Sequence, residues 1–316
     1  MSLVKNLKAK GAKVHILCPD LGACGQWEKD VRELAGVSSS SSEFSADLDY
    51  LIIYKAHSIG VTEAIESMTK VKSDGCVVLI GDPQMPNLRV HNPQVRDACG
   101  SILTWFYDRD RYPAYFEKDS PCVAHNFVCY DYNPIIFDAF NRLFYESKLI
   151  NIVPNPTLST IAGLESIEFV WVKGSTVMEG CSPYNTAEVE SCFNRVKQLI
   201  GAGVPVSRIG VLTTFCAQKR KISTRCNQSY KDVFVGIPQD FESRVFDYLI
   251  ISTVETAERT SGGKRYPFSD LLYDKKCLNL ALTRGATQIT IISDRDVLSG
   301  IDHWKQLIVH LEQLKK

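Results

Sequence analysis

Apolar residues recur along this chain with two spacings. Short unbroken runs, "KVHILCP" (13–19), "DYLIIY" (49–54), "CVVLIG" (76–81) and "HNFVCY" (125–130), have the length and β-branched content of buried strands. Between them, apolar positions return every three or four residues, which predicts helices over 25–34, 61–71, near 94–107 and over 134–147. The serine run "SSSSSEF" (38–44) predicts a flexible surface bulge.

Residues 151–166, "NIVPNPTLSTIAGLES", carry two prolines and no periodicity, which predicts a linker. Beyond it the alternation restarts. Strands are expected at "EFVWVK", "RIGVLTT", "DVFVGI", "FDYLIIST" and "QITIISD", and helices at "NTAEVESCFNRVKQLIGAG", "CAQKRKISTRC", "KKCLNLALTRG" and the C-terminus. Strand–helix alternation of this kind builds parallel sheets covered by helices. The expected fold class is α/β with two domains, 1–150 and 167–316, joined by 151–166.

Composition narrows the function classes. Lys+Arg and Asp+Glu are both 36, so the chain is formally neutral, which argues against strong unfocused nucleic-acid binding but leaves room for a local basic patch. No apolar run approaches the ~18–20 residues of a membrane helix, and no signal-peptide core stands at the N-terminus. The eleven cysteines form no CxxC pair, the pattern of reduced buried thiols in an intracellular protein, cytoplasmic or nuclear. No structural metal is expected.

Three segments carry candidate chemistry. "LIGDPQMPN" ends a strand with Asp82 and Gln84 where open α/β sheets bind ligands; a plain turn would read the same. "NLALTRG" sets Arg284 after a helix, able to reach a phosphate or simply to offset the helix dipole. "IGVLTTFCAQKRK" sets Thr213 and Thr214 before a helix bearing Gln218, Lys219, Arg220 and Lys221, a candidate contact to a nucleic-acid backbone. Its ordinary alternatives are threonine capping and a solvated helix face.

Seven segments in order resemble a superfamily 1 helicase core, closest to the up-frameshift-type, nonsense-mediated-decay RNA helicase branch. "KVHILCPDLGACGQ" resembles motif Ia, "DYLIIYKAHS" motif II and "LIGDPQMP" motif III. "YDYNPIIFDAFNRLFYESKL" resembles the tyrosine-arginine-methionine-histidine-proline element. "SPYNTAEVESCFNRVKQLIGAGVPVSRIGVLTTFCAQKRKI" resembles the opening of the second domain with motif IV. "FESRVFDYLIIS" and "LNLALTRGATQITIISD" resemble motifs V and VI. A nidovirus-type helicase is a more distant likeness, through "VETAE" and "SDRDVL". The resemblance implies two RecA-like domains, the first incomplete at its N-terminus.

The departures from the family pattern decide the chemistry the resemblance implies. Where motif II holds Asp-Glu to anchor Mg²⁺ and polarise water, this chain has Tyr54 and Lys55. Asp131 replaces the family's γ-phosphate arginine, and Glu242, Ser243 and Val245 replace the Gln, Gly and Glu of motif V. No GxxxxGK[ST] is present. Asp82, Gln84, Asn185, Glu188, Gln218 and Arg284 are retained, the last four expected on the second-domain side of a cleft. The expected function is that of a degenerate helicase-like protein that does not hydrolyse ATP and needs no cofactor. It would bind RNA rather than DNA, weakly and with strong salt dependence, or a protein partner. Two alternatives stay open: an ATP- and Mg²⁺-dependent helicase whose P-loop lies in a missing N-terminal segment, and a non-functional truncated product.

Overall fold

The computed structural model describes residues 2–19, 35–86, 100–107, 122–153, 161, 163–256, 260–261, 264–265 and 269–315. The helix expected over 25–34 and much of that near 94–107 lie outside them. Two units, Met1–His125 and Asn126–Lys316, are each built on a parallel sheet.

The first unit contains α1 (Ser2–Ala9), β1 (Val14–Leu17), β2 (Gly36–Ser38), β3 (Leu48–Tyr54), α2 (Val61–Met68), β4 (Val71–Ile80) and α3 (Ile102–Phe106). Its strands pair in the order β2-β1-β3-β4, all parallel. Leu51 and Ile53 pack on one face with Ala64 and Ile102, while Ile52 packs on the other with Val4, Val14 and Ile16. Period-two alternation thus feeds two apolar layers from one strand.

The serine run is not a flexible bulge. Ser38 closes β2 and its hydroxyl meets His15 Nε2 at 2.8 Å. Ser40 caps a single 3-10 turn over Ser41–Glu43, Glu43 accepts from the Ser39 amide at 3.1 Å, and Lys70 donates to the carbonyls of Ser41 and Phe44. Polar composition suggested a solvated loop, but these serines spend their hydroxyls on local backbone and a buried histidine.

The second unit contains β5 (Val128–Tyr130), α4 (Pro134–Phe144), β6 (Ile150–Ile152), β7 (Ile167–Trp171), β8 (Thr176–Glu179), β9 (Ser182–Asn185), α5 (Thr186–Gly201), β10 (Ile209–Thr213), α6 (Cys216–Asn227), β11 (Phe234–Gly236) and β12 (Phe246–Ser252). A small hairpin, β13 (Thr260–Ser261) and β14 (Lys264–Arg265), precedes α7 (Asp270–Tyr273), α8 (Lys275–Leu282), β15 (Gly285–Ser293), α9 (Arg295–Ser299) and α10 (Asp302–Leu314). The main sheet runs β11-β10-β12-β15-β7, all parallel. Leu249, Ile251, Ile289 and Ile291 face α4, α8 and α10, and Val211, Tyr248, Ile250 and Ile292 face α5 and α6. Each such side chain contributes about 1.5–3 kcal/mol when fully buried, so a sheet covered on both faces carries this unit.

The units divide ahead of the expected 151–166 linker. Asn151 and Ile152 are strand residues paired with Cys129 and Tyr130. Ile136, Ala139, Phe140 and Phe144 of α4 join the core formed by β15 and α10. The Asn133 amide also donates to the Ala286 carbonyl at 2.7 Å. The apolar stripe of α4 therefore belongs to the second unit, which a pattern read locally does not reveal.

His15 supplies a test of the first unit. Burial, reinforced by nearby Lys70, lowers its pKa from 6.5 to about 4 against a smaller opposing effect of Glu43. The folded state keeps the ring neutral, so the stability present above pH 6.5 is lost as pH falls from 6.5 towards 4. Residue-resolved protection factors of the β1 and β3 amides, taken relative to intrinsic exchange at each pH, are expected to fall through that window, and His15→Gln to abolish the fall.

Candidate functional site

In the first unit, the ends of β3 and β4 lie side by side, with Tyr54 in register with Ile80. This brings the "YKAH" and "GDPQ" turns together. Lys55 follows the strand in a left-handed conformation, φ 55° and ψ 46°, and is only 8% exposed. His57 Nδ1 accepts from the Asp82 amide at 3.2 Å, and Asp82 Oδ1 accepts from the Gln84 amide at 2.8 Å. A Cβ on Gly81 would stand 2.8 Å from Leu103 Cδ2 and 3.2 Å from the Ala56 amide nitrogen, so glycine is what lets the two turns close up. His57, which joins the turns, was not among the sequence candidates. Its only signal was its place two residues beyond Lys55.

In the second unit, the family-like segments separate to opposite ends of the sheet. Asp131, Tyr132, Phe241, Glu242 and Arg284 gather at the amino end. Asp131 is exposed with φ 61°, and the Tyr132 hydroxyl donates to the Thr283 carbonyl at 2.9 Å. Burial raises the Tyr132 pKa, against an opposing effect of Arg284. The Arg284 guanidinium donates to the carbonyls of Phe241 at 2.7 Å and Glu242 at 2.8 Å, with a longer contact to Thr283. The retained arginine is thus engaged by the backbone of its own unit.

Thr213, Thr214, Gln218, Asn185 and Glu188 lie at the carboxyl end. Gln218 and Thr213, expected to contact nucleic acid, are 0% exposed and present no surface in this structure. Gln218 accepts from the Asn185 amide at 2.9 Å and donates to Ser252 Oγ at 2.9 Å. Ser252 is the last residue of β12, whereas the Arg284 carbonyl accepts from the amide of Phe246, the first. The six steps from Phe246 to Ser252, at about 3.3 Å each, set the strand ends beside Arg284 and Gln218 roughly 20 Å apart.

Threonine does not cap α6 either. Thr214 Oγ1 accepts from Ser269, and the α6 Ala217 amide is satisfied by Ser182 Oγ, from β9, at 2.9 Å. The three cations are spent on the surface. Lys219 pairs with Asp240 at 2.7 Å, while Arg220 and Lys221 both reach Glu179, at 2.8 and 3.1 Å.

The most unusual group at this end is Glu188. Its Oε2 accepts from Ser252 Oγ at 2.6 Å and the Val254 amide at 2.9 Å, while buried Oε1 has no hydrogen-bond partner among the described residues. Burial raises its pKa from 4.5 to about 7, against those hydrogen bonds. The network ties α5, α6 and the ends of β9 and β12 into one polar knot inside the unit.

Each unit is a parallel sheet flanked by helices, the RecA-like α/β arrangement, with the helicase-like segments at its strand ends. A family model described as an AAA domain (AAA_12) matches residues 125–296, more than half of the chain, and the chain belongs to that family. It is 27% identical over 208 residues to a Regulator of nonsense transcripts 1 homolog of Neurospora crassa, a match covering 60% of this chain and 18% of that protein. It is 28% identical over 247 residues to RNA helicase Mov10l1 of Homo sapiens, covering 71% and 20%. The up-frameshift-type resemblance is borne out by such relatives, of whose length the chain spans about a fifth. A solved arterivirus nonstructural protein 10 (helicase), in complex with DNA, aligns with a TM-score of 0.49 at 11% identity, over 95% of this chain and 58% of that one.

Glu188 yields a pH prediction of opposite sign to that of His15. Its folded pKa is raised, so the folded state holds the proton more tightly and stability falls as pH rises from 4.5 to about 7. The loss is on the order of 3 kcal/mol at most. Urea unfolding of the full chain, followed by a probe in the second unit, is expected to show this fall between pH 4.5 and about 7, and Glu188→Gln to flatten it.

Proposed function

We propose that this chain acts as a nucleic-acid-binding member of its helicase family, taking single-stranded RNA in preference to DNA, and that it does not hydrolyse ATP. The observation that carries this reading is Lys55. It stands buried directly after Tyr54, the last residue of β3, where nucleotide hydrolysis by the family's route requires the carboxylate that polarises the attacking water. An ammonium cannot serve as that base and repels a metal beside it, and the neighbouring Tyr54 puts a phenol where a carboxylate would hold Mg²⁺. The donor set does not fit Mg²⁺–ATP: this strand end offers a phenol and an ammonium in place of the family's two carboxylates. Asp131 adds a like charge where a phosphate would need a cation.

RNA is favoured because the relatives carry RNA-related names, a regulator of nonsense transcripts and an RNA helicase. Exposed cations that remain at the surface of α6 suit a phosphate backbone. No helix among the described residues is long and apolar enough to cross a membrane. A working ATP-dependent helicase is the second reading, favoured by the retained Arg284.

Steady-state phosphate release with and without single-stranded RNA separates the two. We expect no RNA-stimulated hydrolysis, together with RNA binding in about the micromolar range that weakens steeply with salt. Arg284→Ala is expected to lower stability by about 1–3 kcal/mol, because two carbonyls lose their donor, without changing phosphate release. RNA-stimulated hydrolysis that disappears in this variant would reinstate the enzyme.

A further inference from the structure

A groove of about 420 Å³ opens between α5, α6 and the β8–β9 hairpin. Its walls carry Arg220, Lys221 and Arg225 with a single carboxylate, Glu179, and the neutral donors Thr186, Thr224 and Gln228. Positions 220, 221, 224, 225 and 228 follow a helical repeat, so these groups form one continuous row on α6 over about 12 Å. Val189 is the lone aliphatic side chain in the lining, and the Tyr184 ring is covered by Lys221 Nζ at 4.8 Å from its centroid.

We propose that this groove binds the phosphodiester backbone of a single-stranded nucleic acid and that Glu179 occupies it in the free protein. The proposal rests on the nucleic-acid-binding reading and gives it a location. Guanidinium, ammonium, hydroxyl and amide donors along one row are the repertoire that engages phosphate oxygens. An acidic protein segment would need buried apolar anchors as well, and the groove offers almost none. Arg225 is preorganised: its guanidinium stacks 3.5 Å from the Phe193 ring centroid and its Nε is held by Glu190 at 2.8 Å.

Glu179 acts as an internal competitor. Its two oxygens take Arg220 at 2.8 Å and Lys221 at 3.1 Å, so each cation must exchange this carboxylate for a phosphate when the strand binds. The pair is solvent-exposed, Arg220 at 59% and Lys221 at 42%, so exchange costs little.

The test is fluorescence anisotropy of the full chain with a short labelled single-stranded RNA of mixed sequence, read across a salt series. Glu179→Gln is expected to tighten binding about three- to tenfold, because it removes the competing charge. Arg220→Ala combined with Lys221→Ala is expected to weaken binding about tenfold and to reduce the logarithmic salt slope by about 1 to 1.4, with an unchanged melting temperature. If the parent chain binds RNA and both variants bind equally well, the groove is not the site while the wider reading stands. If the parent chain binds no RNA, that reading fails and the groove with it. A polyglutamate probe that responds to the substitutions when RNA does not would overturn the proposal in favour of an acidic protein partner.

Discussion

In the five-stranded sheet every strand runs the same way, and this polarity sorts the second unit's polar residues into two populations. Groups that follow strands, Thr213, Ser252 and Ser293, collect at one end; groups that precede strands, Arg284 and the turn at Phe241, collect at the other. Neither set can reach the other without breaking the register. Retained family residues from the two ends therefore do different work. Arg284 satisfies carbonyls, and Gln218 with Glu188 satisfies amides and hydroxyls.

Much of the architecture was legible because it depends on short-range pattern. Runs such as "DYLIIY" and "RIGVLTT" became β3 and β10, and the asparagine before "TAEVES" became the N-cap of α5. What failed to show was long-range. The serine run needed His15 and Lys70 to become ordered, and α4 needed the far end of the chain to declare its unit. The α6 amide needed a serine thirty-five positions away.

Site residues were harder to read than strands because a motif names a side chain without naming its partner. Gln218 and Thr213 matched in sequence yet are sealed inside, whereas Arg220 and Lys221 matched only as part of a charge run and stand at the surface. The substitution at Lys55 changes more than a charge. A left-handed non-glycine residue at a strand end costs on the order of 1 kcal/mol, so the surrounding turn must hold it there.

The buried carboxyl of Glu188 also makes folding a proton-coupled event. Near neutral pH the unfolded chain carries this group ionised, while in the folded unit it is about half protonated. Forming the polar knot therefore draws about half a proton from solution through this residue. The heat measured on refolding includes the ionisation enthalpy of whichever buffer supplies that proton, so the part of the buffer dependence that Glu188→Gln removes reports the knot's assembly.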